Sequence, residues 1–162
     1  DKLEFGRVAV DLRNGNPLIV AGAPLLALVE ALREHPDRFA SLADIRAAAE
    51  RALLAYRARI VRGDVDDATE RAAEFVLTAL VDDIALNGPW PGKSDWRQQP
   101  LAGLARDGRG QGQRVFDLLE ESLIEPARDY AMLELIYVTL ALGFEGPLRT
   151  DARGPLLLIQ YR

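Results

Sequence analysis

The chain has 162 residues, 49% of them hydrophobic and 28% charged, which excludes disorder and gives one ordinary domain enough length to bury most of its apolar surface. It holds no cysteine, so disulfides and thiolate metal sites are excluded. A net charge of −5 and a pI near 5.0 give no support to nucleic-acid binding and fit a basic or neutral protein partner better. The sequence begins at Asp1 without a methionine and shows no signal peptide, as expected of a fragment or processed product.

Residues 1–15 alternate weakly and contain Gly6 and Asn14-Gly15, consistent with a short strand, a flexible arm or appended expression sequence. Asn16-Pro17 starts the first helix, because asparagine caps free amides and proline fits a first turn. That helix runs to about Glu34, and Pro24 is expected to kink it or split it after Gly22. Ser41 with Asp44 forms a capping-box-like start for the second helix. Leu42, Ile45, Ala49, Leu53, Tyr56 and Ile60 give it one apolar stripe, and Gly63 ends it.

Asp64-Val65-Asp66-Asp67 could be read as a calcium loop, but Thr69 and Phe75 stand where that loop needs glycine and glutamate. A helix start with acidic residues favoured by the dipole is the better reading. The third helix runs from about Asp67 to Asn87. Its end carries Asp82 and Asp83, two poor helix formers of unfavourable charge for a helix C-terminus. At 100° per residue Asp83 falls among Phe75, Val76, Ala79 and Leu86 and is expected inside. Asp82 falls with Glu70, Arg71, Glu74 and Thr78 and is expected outside.

The loop from Gly88 to Gln98 holds Trp90 and Trp96, with Ser94 as a helix cap and a short helix expected near Pro100 to Arg106. Asp107 to Gly112 is glycine-rich; without a preceding strand or a following Gly-Lys-Ser/Thr it reads as a turn, not a phosphate nest. A helix follows with Val115, Phe116, Leu119 and Leu123 on its buried side. Pro126 to Asp129 opens the next helix, which ends at Leu142 with Gly143 as its left-handed cap and Phe144 folding back. Apolar on all sides, with Glu134 its sole charge past Asp129, it is expected to be the central, buried helix. The nearly uncharged run Tyr130 to Phe144 is shorter than the ~20 residues that cross a bilayer, so a soluble chain is expected. Glu145-Gly146-Pro147 is a turn, and Pro155 to Tyr161 is read as a short helix. The architecture is an all-α single domain of about seven helices.

No catalytic constellation assembles. Adjacent helical residues point about 100° apart, so Asp82 and Asp83 cannot share a proton or flank one bond. The single histidine, His35, lies in a helix-ending loop, and no serine sits in a nucleophile elbow. No set of side chains has metal-binding spacing. An inward Asp83 needs hydrogen-bond donors, which the indoles of Trp90 and Trp96 or a helix N-terminus could supply. It either pins the tryptophan loop or lines a partner cleft. Asp82 is either a solvated acid or a partner contact.

Several stretches, in this order, resemble one family: Asn16-Pro17-Leu18 with Pro24-Leu25-Leu26, the acidic pair before Leu86-Asn87-Gly88-Pro89-Trp90, Phe116-Asp117-Leu118-Leu119, and LELIYVTLALGFEG from Leu133 to Gly146. The chain is similar over residues 16–162 to the cytoplasmic domain of the DotU/TssL family, also called IcmH. The resemblance implies a hook of two small helical bundles on the cytoplasmic face of the bacterial inner membrane, anchored by a C-terminal transmembrane helix absent from this chain. It implies no catalysis, no cofactor and no metal. The implied role is an adaptor of a type VI secretion system, docking a TssM-like and TssJ-containing membrane complex onto a TssK-like baseplate protein. It implies a partner cleft at the acidic pair, a role that carries over to Asp82 and to Asp83, where the family usually reads Leu-Asp-Glu for Val81-Asp82-Asp83; Asn87 and Trp90 are read beside them as partner-binding residues, with Asp82 offered to a basic patch. Family self-association leans on the membrane helix, so this chain is expected to be mostly monomeric.

The chain departs from the family pattern in two places. Leu104 to Gly112 stands where a Phe-His…Trp-Gly-Gly block is usual. Gly146-Pro147-Leu148-Arg149 replaces the usual Gly-Arg-Tyr-Arg. The alternative reading is a helical regulatory domain with an apolar ligand pocket. An enclosed apolar cavity would favour that reading, and a filled core with a surface cleft would favour the adaptor.

Overall fold

Capping side chains set where the helices begin in the computed structural model, which describes residues 2–5, 8–11, 15–104, 111–151 and 153–161. Asn16 Oδ1 accepts from the Leu18 amide at 2.9 Å and opens α1 (Pro17–Glu34). Ser41 Oγ accepts from the Asp44 amide at 3.2 Å and opens α2 (Leu42–Ile60). Asp66 accepts from the Thr69 amide at 2.9 Å and opens α3 (Asp67–Asn87), so this acidic stretch is a helix cap. Four more helices follow: α4 (Lys93–Gln98), α5 (Gln111–Ile124), α6 (Tyr130–Ala141) and α7 (Gly154–Tyr161). Before them, Lys2–Phe5 and Val8–Asp11 form β1 and β2, an antiparallel pair with Lys2 opposite Asp11 and Phe5 opposite Val8. No strand lies after residue 15 among the described residues, and the domain is all-α.

Three expectations about the elements change. Helix α1 runs unbroken across Pro24. Its apolar residues Leu18, Ile19, Leu25, Leu26 and Val29 are buried against α2, α3 and α6, and that packing outweighs the loss of one backbone donor. The short helix after the tryptophan loop begins earlier, at Lys93, because Gly92 adopts the left-handed conformation (φ 79°) that turns the chain into it. Ser94 is thus inside α4, and Pro100 to Gly103 form a turn closed by the Gly103 amide on the Pro100 carbonyl. The expected helix end at Arg106 and most of the glycine-rich run lie outside the described residues.

The third change concerns the centre of the domain. Helix α6 packs on α1, α3, α5 and α7, but its Tyr130 and Tyr137 are exposed. Helix α3 packs on α1, α2, α4, α5 and α6 and is the true hub. Neighbours on so many sides widen its buried arc to include Thr78 and Asp82 beside Val76, Leu77, Leu80 and Val81. The stretch Tyr130–Arg149 is long and apolar enough to cross a membrane, yet α6 ends at Ala141 and Gly143 (φ 101°) turns the chain. After that turn Phe144 folds back into the core, its ring centroid 5.9 Å from that of Phe116.

Helices α1 and α3 meet closely at Gly22, where an added Cβ would lie 2.8 Å from Leu77 Cδ1. Gly22→Val is expected to overpack this contact and destabilise the domain by about 1–3 kcal/mol, read as a lower urea midpoint with an unchanged slope.

Candidate functional site

The last two turns of α3 place Asp82 and Asp83 about 100° apart, and each carboxylate holds a different segment of chain. Asp82 is 7% exposed. Its Oδ1 accepts from Trp96 Nε1 at 2.7 Å and from the Leu101 amide at 2.9 Å, and its Oδ2 accepts from the Ala102 amide at 3.0 Å. Arg46 of α2 closes over the outside of this loop, 4.3 Å above the Trp96 ring centroid, and donates to the Gln99 carbonyl at 2.7 Å. Burial raises the Asp82 pKa above the usual carboxylate range, outweighing the three N–H donors and the Arg46 charge.

Asp83 works on the other side. Its Oδ2 accepts from the Glu145 amide at 3.0 Å and from Arg149 Nη2 at 2.9 Å, at the start and end of the 3-10 turn Gly146–Arg149. Arg149 also approaches Glu145 at 3.5 Å. The expected orientations are therefore exchanged: Asp82 is the buried acid that pins the tryptophan loop, and Asp83 is partly exposed and paired. The helical period locates only one core face, whereas α4 and its loop cover the side where Asp82 points. Donors from the same chain hold both oxygens of Asp82.

Asn87 and Trp90 are also tied down. Asn87 Nδ2 donates to the Asp83 carbonyl at 2.7 Å, and Trp90 Nε1 donates to the Phe39 carbonyl at 3.0 Å. Gly88 is required between them, because a side chain there would collide with the Trp90 ring.

These four residues do not share one site. Asp82 and Asp83 line a groove of about 420 Å³ that opens to solvent between α3, the Pro100–Leu104 segment, the start of α5 and the 3-10 turn. Its walls are mainly apolar: Ala79, Leu86, Leu104, Phe144 and Pro147. Asn87 and Trp90 line a second, more polar depression of about 470 Å³ with Arg33, Glu145 and Arg149. Sequence reasoning missed Gln111, Phe144, Pro147 and Arg149 as site residues. One signal was present, because Gly112 and Gly146 mark a close approach in which a Cβ on Gly112 would lie 2.9 Å from Gly146 Cα. Each glycine by itself signals only a turn.

Among the described residues no group of three or more metal-ligating side chains converges. The geometry offers an apolar groove with braced walls. Compared with known proteins, the chain matches the family model described as type VI secretion system protein DotU over residues 17–162. No curated protein matches it.

Replacing Asp82 by alanine would strand three donors, so Asp82→Ala is expected to destabilise the domain by about 3 kcal/mol or more in chemical denaturation. The pH dependence has a definite sign. With the folded pKa raised above the unfolded value, the folded state binds the proton first, and wild type gains stability relative to Asp82→Asn as pH falls from neutral toward about 4. Paired denaturation curves across that range check it.

Proposed function

Since the chain belongs to the DotU family of type VI secretion system proteins, we propose that it is a non-catalytic adaptor that docks other components of that machine through the groove at the end of α3. The partners in this reading are a TssM-like protein of a TssJ-containing membrane complex and a TssK-like baseplate protein, met at the cytoplasmic face of the bacterial inner membrane. The observation that carries it is the pair of braces. Asp82 and Asp83 fix both walls of an open apolar groove, and pre-set walls lower the ordering cost of binding. Because the carboxylates are occupied by their own chain, their role here is to hold the docking surface, with the apolar walls making the contact. An open groove over a filled core also favours an adaptor over a ligand-sensing domain, which would enclose its pocket.

Leu104 is 69% exposed on the rim, so its replacement leaves the core intact. Leu104→Glu is expected to weaken binding to the TssM-like cytoplasmic region or the TssK-like protein at least about tenfold in calorimetry, with an unchanged melting temperature. Wild-type chain that binds neither protein would overturn the adaptor reading. Binding unaffected by Leu104→Glu would move the interface away from the groove.

A further inference from the structure

Helix α2 carries a second apolar stripe, on the side opposite its core. The buried residues Ile45, Ala49, Ala52, Tyr56 and Ile60 line one face. Ala47, Leu54, Ala58 and Val61 fall about 180° away, where a surface helix ordinarily shows charge. All four are exposed, Leu54 at 65% and Val61 at 75%. Val61, the C-cap, keeps helical backbone angles, so the stripe runs to the end of the helix. Together with Arg51 these positions alternate spacings of four and three residues, the pattern of a seam that pairs with another helix. No residue of α2 lines the groove at the end of α3, so this surface does not rest on the docking reading above.

Charge selects the occupant. Arg51 and Arg62 border the stripe on one side and Arg57 on the other, with Glu50 the single acid between residues 47 and 62. Arg57 is paired with Glu74, whereas among the described residues neither Arg51 nor Arg62 forms an ion pair. In a chain of net charge −5 this is a local excess of positive charge. It repels a second copy of the same face and attracts carboxylates, which the forked guanidinium binds in a fixed geometry. A helix seated in a bilayer buries a broad face of large side chains, often aromatic. Here Ala47 and Ala58 stand on either side of Leu54 and leave room for a second helix to come close. We propose that this face of α2 docks an amphipathic helix of a partner protein whose apolar stripe is bordered by glutamate or aspartate. Leu54 and Val61 pack into that stripe, and Arg51 and Arg62 pair with the acids at its border.

The probe is a synthetic peptide of about three heptads with leucine along the seam and glutamate on both borders, where like charge keeps it from pairing with itself. A peptide with the same seam and lysine borders is the control. Titrated into the wild-type chain, the glutamate peptide is expected to shift the amides of Leu54, Ala58 and Val61 in NMR spectra. It should bind at least about tenfold more tightly than the lysine peptide. Arg51→Glu combined with Arg62→Glu, checked for folding by its melting temperature, should reverse that preference. Leu54→Gln should weaken the glutamate peptide about five- to tenfold. The comparison of the two peptides on wild type stands even if a variant fails to fold. Equal binding of the two peptides, shifts confined to other surfaces, or no binding at millimolar concentration would each overturn the proposal. Binding to phosphatidylglycerol vesicles that Leu54→Gln abolishes would overturn it in favour of a membrane contact. A dimer in sedimentation that Leu54→Gln dissociates would overturn it in favour of a self-interface.

Discussion

Two consecutive carboxylates at the end of one helix each hold a separate piece of chain, and the groove exists because of that division. Asp82 gathers an indole from α4 and two amides from the segment after it. Asp83 gathers an amide and a guanidinium from the segment after α6. A carboxylate accepts several hydrogen bonds, so one residue can fix a helix and the loop after it at once. Aspartates are poor residues for the last turns of a helix, where the dipole already concentrates negative charge. Here each is surrounded by donors from outside the helix, which reverses the local preference.

The fold was largely readable because its signals are local. Asn16, Ser41 and Asp66 announce three helix starts through a side chain and an amide two or three residues on, and all three are realised. The α2 stripe held at Leu42, Ile45, Ala49, Tyr56 and Ile60, with Leu53 only partly buried. Gly143 turned α6 back on itself in the left-handed conformation. The membership in a secretion family was also legible, carried by blocks that include the helix α6 segment and the acidic pair.

The site was less readable because its geometry depends on distant pairs. Asp83 and Arg149 are 66 residues apart, and no local pattern says that they meet. The side on which α4 lies decided which aspartate would be buried, and periodicity within α3 carries no information about that. One aspartate of the pair does point inward, but it is Asp82 and not Asp83, one residue and thus 100° of helix away. Hydrophobic arcs locate a core face well for a helix with neighbours on one side. For a hub such as α3, packed on five other helices, the arc loses its edge.

The cap of α1 has a consequence for the order in which the chain can assemble. Asn16 receives the Leu18 amide with its oxygen and gives its amide hydrogen to the Ala131 carbonyl at 2.6 Å, bridging 115 positions of sequence. Helices α1, α2 and α3 contact one another and can collapse as a local unit soon after they leave the ribosome. The second half of the Asn16 bond has to wait until α6 has been synthesised. The beginning of the domain is therefore sealed by its later half, and a nascent chain arrested before residue 131 would expose an unfinished first turn.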